Sequence, residues 1–264
     1  MDSLALSELT RICFLLLISI VRLAAALSII PVFSKQFIVG TGRNAIILGM
    51  ALPLFYFLYP ALPKEELPLL MLFAILFKEV VIGLMLGFVG TFIFFVGESV
   101  GFIIDIQRGA SMATTFDAIA GTQTSLLGSF LLQMLTVFFF STGGFLFFMM
   151  LIYKTYEIWP VFQLTITIES DLSRYFLLFA DELMEVSFCL CAPVLIVLFL
   201  AEFGLGMVSR FAPQLNVFVL AMPIKSWLSM FFLLLYFSFL GQLFRHYFYG
   251  KGKMAQFINH FFQL

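Results

Sequence analysis

The chain has 264 residues, 62% of them hydrophobic and only 11% charged, with a mean hydropathy of +1.11 and a net charge of -1. A soluble core of this size cannot hold so much apolar side chain without exposing large greasy patches, so the composition makes this an integral membrane protein. The charge balance offers no basic field to recruit phosphates, which argues against a nucleic-acid partner, and the absence of a Walker loop, a dinucleotide glycine fingerprint or a metal-ligand cluster leaves no cofactor to expect.

The first apolar run, Ile12 to Phe33, is followed within itself by the small residues Ala24, Ala25 and Ala26, as a signal peptide would be. Asp2 and Glu8 precede Arg11, however, so the basic leading region is missing, and the run is long enough to span a bilayer as a retained helix. Arg22 lies in its middle. Such a residue either snorkels or pairs with an acid on a neighbouring helix, or else lines a pathway. Pro31 and the stretch from Lys35 to Asn44, with Gly40 and Gly42, close the run. Ala45 to Tyr59 reads as a short second span kinked at Pro53, ended by Pro60 and Pro63 and followed by the polar turn Lys64, Glu65 and Glu66.

From Leu69 the pattern stays helical to about Met112, which at 1.5 Å per residue is about 65 Å, roughly twice the hydrocarbon thickness. One simple transmembrane span is therefore excluded: either the helix breaks near its glycines or much of it projects beyond the bilayer. Wound at 100° per residue, Gly83, Gly87, Gly90, Gly97 and Gly101 fall within about 40° of one line. Glu79, Asp105, Arg108 and Met112 share that sector, with Glu98 beside it. A face that combines small residues with charge is expected to meet protein or water rather than lipid, and the reading assigns it to a partner subunit. Beyond it, Ala113 to Ser125 is rich in Thr, Gly, Asp and Gln between two apolar arms, the pattern of a hairpin loop.

Leu126 to Tyr153 carries no charged residue and is the cleanest span, with a bend expected at Gly143 and Gly144. The 37 phenylalanines of the chain read first as packing and lipid-facing residues and second as a hydrophobic constriction. Lys154 to Glu185 is expected to be an external connector with an acidic amphipathic helix near its end. Val186 to Val208 is a further span, kinked at Pro193 and carrying Glu202, Gly204 and Gly206. Ser209 to Asn216, with Arg210, Pro213 and Gln214, then interrupts it, and Val217 to Met222 resumes before Pro223 and Lys225. A broken element at membrane depth needs protein or water to satisfy its freed backbone groups, and at least one acid–base pair is expected among Glu202, Arg210 and Lys225 or with a partner chain. Trp227 to Phe244 is the last span, and the basic tail 245–264 is placed in the cytoplasm by the positive-inside bias. Six simple spans would return that tail to the outside, so one segment must break parity. Cys13, Cys189 and Cys191 lie in apolar segments and read as small hydrophobes.

The block AEFGLGMVSRFAPQLNVFVLAMPIKS, residues 201–226, together with GESVGFIIDIQRGASMATTFDA, residues 97–118, resembles the FliR/SpaR/YscT family of type III secretion export-apparatus proteins, with an ending at Met222 to Ser226 nearer the injectisome branch. The resemblance implies an all-α, polytopic membrane protein of kinked helical hairpins with broken helices. It implies one domain over 1–264, with a hairpin and plug region at about 69–153. Such a chain would be one subunit of a pseudo-helical export gate in the bacterial inner membrane, with FliP-like and FliQ-like small partners, other export-apparatus membrane proteins, and secreted polypeptides in transit. It would bind partners rather than transform substrates. The family's plug loop maps onto Phe116, Asp117, Ala118, Ile119, Gly121, Thr122, Gln123 and Thr124. Flagellar members often have Asp-Pro where this chain has Asp117-Ala118, a departure that removes a rigid residue from the loop.

A secondary transporter or channel is the competing reading, since Arg22, Glu79 and Glu202 are ionisable groups in apolar segments and no inverted repeat is visible to decide it. An intramembrane enzyme is disfavoured because His246 and His260, the two histidines, both lie in the tail, where they cannot complete a spanning catalytic pair or metal site.

Overall fold

The computed structural model describes residues 2–34, 38–61, 68–110, 125–163, 172–212, 214 and 216–249. These residues are helical with no strand among them: α1 (Asp2–Ile29), α2 (Gly40–Leu58), α3 (Leu69–Arg108), α4 (Leu126–Ser141), α5 (Gly144–Ile158), α6 (Leu172–Phe211) and α7 (Val217–Tyr249), with 3₁₀ turns at Pro31–Phe33 and Tyr59–Ala61. In hydrocarbon a backbone polar group has no water to turn to, and the helix satisfies nearly all of them within one segment. The chain is a multi-pass membrane protein. The helices around Arg11–Ile29, Gly40–Leu58, Leu69–Arg108 and Leu177–Phe211 are each long and apolar enough to cross a bilayer, and the bent pair α4–α5 supplies a fifth candidate.

The chain divides into two compact units. The first, residues 1–92 and 143–170, gathers α1, α2, the first part of α3 and α5. Its core holds Leu15, Ile18, Leu23, Leu27 and Ile30 of α1 with Ile75 and Ile82 of α3 and Ile152 of α5. The second, residues 93–142 and 171–264, holds the rest of α3 with α4 and the packed pair α6–α7. There Phe94 and Phe139 meet edge to face at 5.3 Å between ring centroids, both fully buried.

Several local expectations change. The 40-residue α3 runs unbroken past every one of its glycines, so close packing rather than a hinge explains them. Proline does not interrupt α2 at Pro53, α6 at Pro193 or α7 at Pro223. Its fixed φ is already helical, and the single lost N–H is a smaller loss than ending a helix in an apolar medium. The acidic stretch Asp181 to Glu185 is helical, and the helix continues without a break into the apolar span as the early part of the 40-residue α6. Among the described residues α7 contributes an apolar stretch, Val219–Leu235, shorter than the other candidate spans. The bend before Gly144 does form. Thr142 closes α4 on the Phe138 carbonyl with its N–H at 3.0 Å and its hydroxyl at 2.8 Å, and Gly143 follows at φ 79°, a left-handed conformation that a side chain would oppose.

Candidate functional site

The most organised polar feature of the second unit is the base of the mid-chain hairpin. Asp105 sits one turn before the end of α3, where the helix dipole disfavours a negative charge. Two neighbours offset this. Arg108, in the same last turn, pairs with Asp105 Oδ1 at 2.7 Å. The start of α4 supplies the rest: the Ser125 hydroxyl donates to Asp105 Oδ2 at 2.6 Å, and the Leu127 N–H donates to the same oxygen at 3.0 Å. Ser125 is also the N-cap of α4, its oxygen accepting the Gly128 N–H at 2.8 Å. One buried carboxylate thus joins the end of one helix to the beginning of the next.

Close approach makes this possible. A Cβ placed on Gly101 would run into the backbone of Leu127 and Gly128, and one on Gly97 into the Leu135 side chain. The remaining glycines of the stripe serve the first unit, where Gly83 lies against the Arg22 carbonyl and Ala25, Gly87 against Ala26, and Gly90 against the Phe148 ring. The seam expected to receive a partner subunit is therefore filled by α1, α4 and α5 of this chain, because Ala25, Ala26 and Gly128 offer the matching small surface. Glu98 is exposed.

In the first unit Arg22 and Glu79 are both fully buried and joined twice, Nε to Oε2 at 2.6 Å and Nη2 to Oε1 at 2.9 Å. Arg22 further donates to the Thr155 hydroxyl at 3.0 Å and the Trp159 carbonyl at 3.1 Å, and its guanidinium lies 3.9 Å from the Tyr156 ring centre. Lys78 joins Glu79 at 3.1 Å and donates to the carbonyls of Pro160, Val161 and Gln163. Of this cluster the sequence reading singled out Arg22 and Glu79 but not Lys78, Thr155 or the Trp159–Gln163 strap. The adjacent charges Lys78 and Glu79 inside an apolar helix were the available signal.

In the second unit, Lys225 of α7 pairs with Glu202 of α6 at 2.6 Å and donates to the Gln107 carbonyl at 3.3 Å, capping the last turn of α3. Gly109 just beyond adopts φ 85° with Met222 packed nearby. Arg210 and Gln214 are exposed, and Asn216 is exposed with its side-chain oxygen taking the Val219 N–H at a long 3.5 Å. A Cβ placed on Gly204 or Gly206 meets none of the described residues within 4 Å. Pro223 lies within α7. Phe116, Asp117, Ala118, Ile119, Gly121, Thr122, Gln123, Thr124 and Pro213 fall outside the described residues, as does the tail from residue 250. Cys13 and Cys189 are exposed free thiols and Cys191 is a buried one.

The family model described as bacterial export proteins, family 1, matches residues 13–250. The chain is 41% identical over 219 residues to the Yop proteins translocation protein T of Yersinia pestis, covering 81% of this chain and 82% of that one. It is 31% identical over 220 residues to the surface presentation of antigens protein SpaR of Salmonella typhimurium, at 82% and 80% coverage. To the flagellar biosynthetic protein FliR of Bacillus subtilis it is 29% identical over 212 residues, at 79% and 80% coverage.

Proposed function

We propose a function from one premise: the chain belongs to the bacterial export proteins, family 1. It acts as a subunit of the export gate of a bacterial type III protein secretion system, helping to form and close the membrane conduit for unfolded secreted proteins. The observation that carries this reading is the family match across residues 13–250, which takes in the Asp105 junction, the glycine stripe and the Glu202–Lys225 pair together. The relatives bear names drawn from protein translocation and flagellar biosynthesis, and no enzymatic role is assigned to this chain. Its place is the inner membrane, and its partners are FliP-like and FliQ-like small subunits, other export-apparatus membrane proteins and the polypeptides in transit.

Within that reading, residues 116–124 form the plug. A short segment of Thr, Gln and Gly suits a wet, protein-walled lumen better than lipid, with Phe116 and Ile119 supplying apolar contacts for a seal and Gly121 the freedom to withdraw. The Asp105–Ser125 junction supports it by giving both described ends of the loop a fixed base. The test is to shorten Ala118 to Thr122 to a Gly-Ser link in cells carrying the whole apparatus, then measure small-ion conductance, secretion and co-purification with two other small membrane proteins. Increased leak with the complex intact is expected. An assembled complex with no leak and normal secretion reduces the loop to a connection.

A further inference from the structure

The Lys78 ammonium sits in a nest of four oxygens. The carbonyls of Pro160, Val161 and Gln163 lie at 3.0, 2.6 and 2.9 Å, and Glu79 Oε1 at 3.1 Å. An ammonium has three protons, so four acceptors at comparable range surround it as they would a bare monovalent ion. The inner side of the nest is buried, with Lys78 5% exposed, Glu79 and Arg22 fully buried and Val161 1% exposed, while Pro160 is half-buried and Gln163 is exposed at its rim. The formal charges do not balance either. Arg22 and Lys78 are both cationic, Glu79 is the one acid among them, and the excess positive charge is met by the carbonyl dipoles of the strap, including that of Trp159 toward Arg22. Those carbonyls belong to the turn just after α5, which the Gln163 N–H closes on the Pro160 carbonyl at 3.3 Å, and three of them converge on the one ammonium.

We propose that the Trp159–Gln163 strap and Glu79 form a monovalent-cation receptor whose resident cation is the tethered ammonium of Lys78, so that charge in the nest, not the lysine stem, holds the strap against α3. Its ligand class is an ammonium or an alkali ion of similar size. The inference is independent of the export-gate reading, since it concerns how one strap is held whatever passes through the assembly.

The test uses the full chain in native membranes, with Cys13, Cys189 and Cys191 replaced by alanine and Val161→Cys as the reporter for N-ethylmaleimide. With Lys78 present the reporter is protected. Lys78→Met, which keeps the stem without charge, and Lys78→Ala each raise the labelling rate about tenfold or more, as local opening of a protected segment does. Ethylammonium restores protection in Lys78→Ala, where the stem space is vacated, and not in Lys78→Met. Full protection in Lys78→Met, or no effect of ethylammonium on Lys78→Ala, overturns the proposal. Should both variants fail to accumulate, reductive methylation of the unaltered chain decides it: Lys78 is expected to react at least about tenfold more slowly than the half-buried Lys154, by the same protection argument, and equal rates refute a held cation.

Discussion

The Ser125 hydroxyl donates to the Asp105 carboxylate at 2.6 Å, and that oxygen also takes the Leu127 N–H at 3.0 Å. A single acid in the last turn of one helix thereby holds the first turn of the next, and it remains buried because Arg108 balances its charge.

Truncation of that acid is expected to cost more than removal of its partner hydroxyl. Asp105→Ala leaves Arg108 buried without its counter-charge, a loss of about 3–5 kcal/mol, whereas Ser125→Ala removes a helix cap worth about 1 kcal/mol. Thermal unfolding of the detergent-purified chain should rank the two in that order. Equal midpoints would show that Asp105 is not the anchor.

Arg22 and Glu79 should behave as a unit. Arg22→Met or Glu79→Gln alone strands a buried partner and is expected to destabilise by about 3–5 kcal/mol, while the double replacement costs less than the sum of the two. A double-mutant cycle read by yield and thermal midpoint checks this; strict additivity contradicts the contact.

Glycine substitutions should separate into two classes. Gly87→Leu and Gly101→Leu place side chains into the backbones of Ala26 and of Leu127–Gly128, so the isolated chain should lose its fold or its membrane yield. Gly204→Leu and Gly206→Leu meet none of the described residues and should shift its stability by about 0.5 kcal/mol or less. If the second pair nevertheless abolishes co-purification with other export subunits, a partner backbone lies against that face; normal co-purification leaves it to lipid.

The Glu202–Lys225 pair should be asymmetric. Glu202 is 55% exposed at its side chain and Lys225 is 10%, so Glu202→Gln should cost about 1 kcal/mol or less, whereas Lys225→Met also gives up the Gln107 carbonyl and should cost more. Comparable midpoints for the two variants would remove Lys225 from its capping role.

By itself the sequence determined the class of the molecule and its family. Hydropathy at this level admits only a membrane protein, and the blocks at 97–118 and 201–226 carry enough specific residues to name the relatives. It also marked Arg22, Glu79, Asp105, Glu202 and Lys225, because an ionisable side chain in an apolar run is costly and must find a partner. Which partner each found was decided by tertiary structure. Arg22 meets Glu79 and a strap beginning at Trp159, contacts between distant parts of the chain that no local periodicity encodes. The same holds for the glycine stripe: spacing along one helix shows that something comes close, but only the positions of Ala25, Ala26 and Gly128 decide that it is this chain's own backbone. Spacing also does not say whether a helix continues past a proline: α2, α6 and α7 run through Pro53, Pro193 and Pro223, because an apolar surrounding demands that the remaining backbone groups stay paired.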